Sequence, residues 1–419
     1  MIDQRRPQAS IIIPTYNRAP FLERQLRSLA GQHLDREEFE VIVADDGSTD
    51  ETRDVVRKFT RLLRINYVYQ EDRGFRVARA RNLGARAATS PLLIFLDAGT
   101  LTGRDFVQSH IDAHADDDRK FAVGFTHGYN PWQPYRPLAH LLEELGPDET
   151  MRRCLGDAGF QDLRYSRYER LKFDLSGLVA PWVDCWSGNL SVSTTDFTSA
   201  GGFDESFESW GGEDLELGYR LTKAGLAMRV AADAWCIEIP HDRDQAANDL
   251  AGRSNSWKVW DRHPAPETEI FGAMYGSGRI EPSFEHEYAT FLAWREAAAP
   301  IDVRHEVRAA ITATRSAAAR VAVIGCGAVL EDMLPRDSAY TLIDFDAEFI
   351  GNLQGHSPSP RVHALGIRTP LRTASHDLVI VTSRLRGLWK RWGPDILQEA
   401  ERIGTHTLVS DSLKPTDAR

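Results

Sequence analysis

Cysteine is scarce in this 419-residue chain, and its four residues, Cys154, Cys185, Cys236 and Cys326, lie far apart. With no C-x-x-C pair among them, neither a zinc knuckle nor a disulfide framework is indicated, and buried thiols are expected. Long apolar runs are missing as well. The opening "MIDQRRPQASIIIPTYNR" offers only Ile11 to Ile13 before Pro14, too short for a signal-peptide core, and no later run approaches the ~20 residues of a membrane span. A cytoplasmic location without an integral membrane segment is the expectation. An excess of positive charge is also absent. The formal net charge of −11 argues against a sequence-independent grip on nucleic acid and leaves small, locally held polyanions as ligands.

What the chain does have is length beyond the reach of one core, so two or three domains are expected. Through the first 130 residues the apolar bursts "SIIIP", "FEVIVADD", "INYVYQ", "PLLIFLDAG" and "KFAVGFT" alternate with amphipathic stretches of helix length. That rhythm predicts a parallel sheet covered on both faces, with ligands at the carboxyl ends of its strands. Those ends carry Thr15 to Arg18, Asp45, Asp46 and Asp97. A short strand, a Gly-Gly turn, a helix and a last strand over 181–244 close the domain. A second α/β rhythm, "RVAVIGCG", "AYTLIDFD", "RVHAL", "HDLVIVTS" and "HTLVSD", follows an Ala- and Arg-rich stretch.

Five stretches in order, "IIIPTYNR", "VIVADDGSTDET", "DRGFRVARARNLGARAA", "FLDAGT" and "WGGEDLELGYRL", resemble the family 2 glycosyltransferases of the GT-A fold over residues 1–245. The resemblance implies a doubly wound mixed α/β sheet over 1–265, followed by a helical linker at 266–317 and a smaller Rossmann-like α/β domain at 318–419. It also implies an inverting transfer from a nucleotide sugar, expected to be a UDP-sugar, to a hydroxyl of a saccharide or other acceptor. Such a reaction needs a seat for the nucleoside, neutralisation of the departing diphosphate, and a base for the acceptor proton.

By the resemblance the nucleoside sits at Pro14, Thr15, Arg18, Asp45 and Asp46. A strand-end carboxylate can accept from a uracil N–H or ribose hydroxyls, although one of the two aspartates can equally cap the following turn. Gly74, Arg79 and Asn82 lie near the donor by the same likeness, and a bidentate guanidinium suits a phosphate. Asp214 is the implied general base and Glu213 a binder of sugar hydroxyls, though acids at a helix N-terminus also complement its dipole. Trp186 and Trp210 offer flat faces for a sugar ring, and Gly211 and Gly212 allow close backbone approach. The processive synthases of this family carry a Q-x-x-R-W motif and membrane helices. This chain has neither, so one sugar per encounter is expected.

The departure lies in "FLDAGT". The family's Asp-x-Asp holds a divalent cation on the diphosphate, and here Gly99 stands where the second acid would be. Three readings stand: Asp97 holds Mn²⁺ or Mg²⁺ with other ligands, arginines alone neutralise the diphosphate, or the domain binds without catalysing. His241, after the domain's last strand, is expected to join Asp97 on the metal, with Asp242 or Asp244 as alternative acids. In the second domain Gly325, Gly327 and Asp344 or Asp346 resemble the opening of a class I methyltransferase. Residues 318–419 leave no room for its final strands. A module for homodimerisation or acceptor holding is expected rather than an S-adenosylmethionine enzyme, with a bifunctional glycosyl- and methyltransferase as the alternative.

Overall fold

The computed structural model describes residues 6–116, 119–130, 135–314, 320–328, 334, 338–351 and 359–414. The chain forms two compact units, Met1–Gly252 and Arg253–Arg419. The strands of the first are β1 (Ala9–Thr15), β2 (Phe39–Asp45), β3 (Ile65–Tyr69), β4 (Leu92–Leu96), β5 (Thr100–Thr102), β6 (Lys120–His127), β7 (Asn189–Ser193) and β8 (Ala227–Glu238). They form one mixed sheet in the order β3-β2-β1-β4-β7-β6-β8-β5. β1 to β4 are mutually parallel. β7 is antiparallel to both β4 and β6, and β5 is antiparallel to β8. The five apolar bursts thus all run in one direction, β1 to β4 as direct neighbours and "KFAVGFT", which forms β6, across the inverted strand β7.

Strands buried on both faces must be apolar at successive positions, which is why "IIIP", "VIVA" and "LLIFL" lack polar alternation. Ile11 and Ile13 face one core with Val41, Val43, Leu22 and Phe59, while Ile12 faces the other with Phe95, Phe121, Phe203 and Leu217. The four cysteines are free and buried. Among the described residues no helix is long and apolar enough to cross a membrane.

Two histidines, His110 and His127, are buried in this unit, and His114 is half-buried. His110 bridges Ser191 Oγ (2.9 Å) and Asn189 Oδ1 (2.8 Å), His114 meets the same Ser191 Oγ (2.9 Å), and His127 accepts from the Asp162 N–H (3.1 Å). Burial pushes them down to about 3, 4 and 4, respectively. A depressed folded-state value means that stability is complete above the unfolded value of ~6.5 and is lost as pH falls toward 4. Denaturant melts between pH 7.5 and 5 are therefore expected to show stability falling by roughly 1.4 kcal/mol per pH unit for each such histidine at the acid end. A flat profile across that range would contradict the assignment of neutral, buried imidazoles.

The second unit holds β9 (Arg320–Ile324), β10 (Ala339–Asp344), β11 (Arg361–His363), β12 (His376–Val381) and β13 (Gly404–Val409), all parallel in the order β11-β10-β9-β12-β13. This is a doubly wound order, with the crevice at β9 where the winding reverses. Helices Pro266–Ser277, Phe284–Ala298 and Arg304–Ala313 lie in the same unit. The buried Glu269 fastens the first of them by accepting from the Leu365 (2.7 Å) and Arg368 (2.8 Å) N–H groups. Asp344 ends β10 as the sequence places it, but its own chain uses both oxygens. They accept from Gly327 N (2.7 Å), Asp346 N (2.9 Å) and the fully buried Arg384 guanidinium (3.2 Å from each oxygen).

Candidate active site

Helix Glu213–Lys223 starts from two left-handed glycines, Gly211 (φ 86°) and Gly212 (φ 97°). A side chain would strain both positions. One helical face is anchored at Gly218, where a Cβ would meet that of Cys185 at 2.5 Å. The close contact sets the helix against the segment before β7, and the Ser187 N–H donates to Asp214 Oδ2 (3.2 Å). Asp214 is partly buried, and desolvation followed by the charge of Glu213 pushes its carboxyl up to about 7. Ser187 is itself buried, and its hydroxyl has no hydrogen-bond partner among the described residues.

Glu213 turns the other way, into the protein. Its Oε1 accepts from Arg81 Nη1 at 2.8 Å, and Arg81 Nη2 reaches Asp97 Oδ1 at 2.7 Å. One buried guanidinium therefore joins the strand-end acid to the helix that carries the candidate base. Arg81 lies in the buried stripe of helix Val77–Ala87 with Ala78 and Gly84, and a Cβ on Gly84 would stand 2.6 Å from Ile12 Cγ2. Asp97 follows β4, and its N–H donates to Gly188 O (3.1 Å), tying the ends of β4 and β7 together. Half of its side chain is exposed, Oδ1 serves Arg81, and Oδ2 lies beside Gly188, where a Cβ would stand 3.1 Å from it.

The other expected donor contacts are in part used by the protein itself. Asp45 is buried and caps its turn, accepting from Gly47 N (3.1 Å) and Ser48 N (2.7 Å) as well as the Tyr67 hydroxyl (2.6 Å). Asp46 accepts from Gln70 and from Arg76 N (2.9 Å). Pro14 and Thr15 are buried in β1, paired with Ala44 and Asp45 of β2. Gly74 is left-handed and exposed, its N–H on Asp72 (2.9 Å). Arg79 is exposed, 4.0 Å from Glu205, and Arg86 approaches the same carboxylate. The Asn82 amide holds the turn after Gly202 through Phe203 O (2.9 Å) and Phe203 N (2.9 Å).

Trp186 carries the Arg164 guanidinium over its ring at 4.4 Å and meets Tyr129 edge-on. Arg164 is fully buried on Asp162. Trp210 is 39% exposed and packs near Gly252. The two tryptophans thus differ: one is braced, the other presents a face to solvent.

Gly99 is left-handed (φ 95°), a backbone conformation that an acid at this position would adopt only with strain. A Cβ there would touch the Phe21 ring system from 3.6 Å. Phe21 in turn carries Arg18 over its ring (5.3 Å) and meets His241 edge-on (5.8 Å). His241 Nδ1 lies 3.1 Å from Ile239 O, which fixes the Nδ1–H tautomer and leaves Nε2 as an acceptor. Burial pushes this imidazole down to about 4. Glu238, paired with Thr100 across β5 and β8, is nearly buried and forms an ion pair with Arg243. Asp242 and Asp244 are exposed, and Asp244 caps the next helix through Ala247 N (3.0 Å). Among the described residues no three His, Cys, Asp or Glu side chains converge as a ready cation site.

Sequence reasoning chose Arg79 over Arg81 and passed over Ser187, Tyr129, Glu238 and Arg243. The helical spacing of Arg81 with Ala78 and Gly84 was a usable signal of its burial. The other four are brought in by strand pairing and loop closure, which no local pattern records.

Residues 10–168 match the family model of glycosyl transferase family 2, and residues 170–242, which include Trp210 to Asp214, match that of the N-terminal domain of galactosyltransferase. A validoxylamine A glucosyltransferase of Streptomyces hygroscopicus is 42% identical over 97% of this chain and 98% of its own. The chain belongs to glycosyl transferase family 2. A chondroitin synthase of Escherichia coli is 32% identical over 58% of this chain and 37% of that larger enzyme. Among solved structures, a mannosyltransferase of Pyrobaculum calidifontis in complex with GDP-Man and Mn²⁺ is 20% identical, with a TM-score of 0.44 over 74% of this chain and 80% of that one. The chain is a glycosyltransferase, and its first unit is the mixed GT-A sheet of that family, with the Asp97–Arg81–Glu213 bridge at the strand ends.

Proposed function

We propose that the protein is an inverting, non-processive transferase that moves a glucosyl unit from a UDP-sugar to an acceptor hydroxyl. Asp214 takes the hydroxyl proton while the acceptor oxygen bonds to the anomeric carbon. The bond from that carbon to the diphosphate oxygen breaks on the opposite face, and UDP leaves with the electron pair. The observation that carries this reading is the partly buried Asp214, held by the Ser187 N–H with its carboxyl near pH 7, where a base works best. The 42% identical glucosyltransferase supports glucose as the sugar. Trp210 and the Trp186–Tyr129 pair are assigned to the sugar and acceptor pocket.

Asp97, half-exposed, and Nε2 of His241, left free as an acceptor by the Nδ1–Ile239 contact, would be the protein donors to a divalent cation, Mn²⁺ or Mg²⁺. Two protein donors suffice only where diphosphate oxygens and water complete the shell, and the ion would supply neutralisation of the leaving group. Calorimetric titration with UDP, with Mn²⁺ and again in excess chelator, tests this. Binding is expected in both conditions and tighter with metal. Identical affinities would remove the ion from the assignment, and no UDP binding would overturn the donor. A panel of UDP-sugars then identifies the sugar, with UDP-glucose expected to be turned over fastest.

A further inference from the structure

The position where the family's second acid would stand faces positive charge. Gly99 abuts Phe21, Phe21 underlies the Arg18 guanidinium, and burial, followed by the charge of Arg243, depresses the proton affinity of Arg18. Among the described residues the Arg18 guanidinium makes no hydrogen bond or ion pair. The compensating charge is Glu238, largely buried, which Arg243 holds directly and whose Oε1 lies 3.9 Å from His241 Nδ1. Arg243 also lies over the Tyr129 ring at 4.8 Å, which keeps its planar head beside the site. Two guanidinium groups thus lie about one largely buried carboxylate at the carboxyl ends of β1 and β8, the edge at which ligands of such sheets collect.

The arginines expected to meet the diphosphate are committed elsewhere. Arg81 is shared by Asp97 and Glu213, Arg76 is beside Asp46, Arg73 is on Glu71, and Arg79 and Arg86 approach Glu205. We propose that Arg18 and Arg243 form a guanidinium clamp on the donor's diphosphate, with Glu238 as the resident anion that the phosphates displace. This rests on the reading of the donor as a nucleoside diphosphate sugar. Displacement relieves two costs at once: the mutual repulsion of the cations and the burial of a carboxylate. With an acid missing at 99, the clamp gives the site a hold on UDP that does not depend on a metal.

The test is calorimetry of the full chain with UDP and with uridine, in excess chelator. Arg18→Gln and Arg243→Gln are each expected to weaken UDP about tenfold or more, the scale of losing one charge-assisted bond. Uridine affinity should be unchanged in Arg243→Gln, and Arg18→Lys and Arg243→Lys should recover part of the loss. Glu238→Gln is expected to tighten UDP, since the competing anion is gone. Arg119→Gln, an exposed arginine paired with Asp196 at the amino end of β6, is the control and should bind UDP as the parent does. Thermal melts show whether each variant is folded. UDP affinity within about twofold of the parent in both clamp variants overturns the clamp, as does an equal loss in Arg119→Gln. If the parent itself binds neither UDP nor a UDP-sugar, the donor assignment fails and takes the clamp with it.

Discussion

Asp214→Asn is expected to lower kcat by ~10²–10⁴-fold, the usual contribution of a positioned base, while UDP affinity stays close to that of the parent. The amide is nearly isosteric and can still accept from the Ser187 N–H, so the pocket keeps its shape. What it cannot do is take a proton. The parent's rate should also fall with acid on a limb near pH 7, because the carboxyl must be ionised to act and its environment holds it at about 7. That limb disappears in the variant, leaving a low, pH-independent rate. Equal losses of turnover and nucleotide binding would mean that Asp214 shapes the site rather than serving as its base.

The second large effect is expected at Arg81. Replacing it with Met strands Glu213, a buried carboxylate whose other oxygen already lacks a partner among the described residues. Breaking a buried pair in this way costs ~3–5 kcal/mol, and the half-exposed Asp97 adds little because solvent screens it. Activity should be lost as well. Arg81 also lowers the proton affinity of Asp214, so any residual rate would have its acid limb displaced to higher pH. Stability and chemistry are separated by Arg81→Met combined with Glu213→Leu. Removing both charges is expected to restore most of the stability in denaturant melts, since no ion is left unpaired, but not turnover. A double variant with near-parental turnover would show that the bridge serves only to hold the fold together.

The strands β1 to β4, the glycines before Glu213 and the acids at 45, 46, 97, 213 and 214 were all legible in the sequence. Doubly buried strands demand unbroken apolar runs, left-handed turns demand glycine, and strand-end acids stand out against both. The inverted β7 was not legible, because "NLSVS" carries no mark of direction. Nor was the division of labour among the arginines. Five of them between 73 and 86 look alike as letters, and only the packing of helix Val77–Ala87 on β1 turns Arg81 inward and leaves Arg79 in solvent.

The sequence by itself therefore determined which family this chain belongs to and which acids are the candidates for its chemistry, since those properties reside in short contiguous motifs with local backbone demands. Tertiary structure alone decided what neutralises what. Asp45 is spent on its own turn, Arg81 joins two acids from positions 97 and 213, and Glu238 stands with Arg243 beside Arg18, more than 200 residues away in the chain. Charge compensation acts through space over a few ångströms, and distance along the chain carries no record of it.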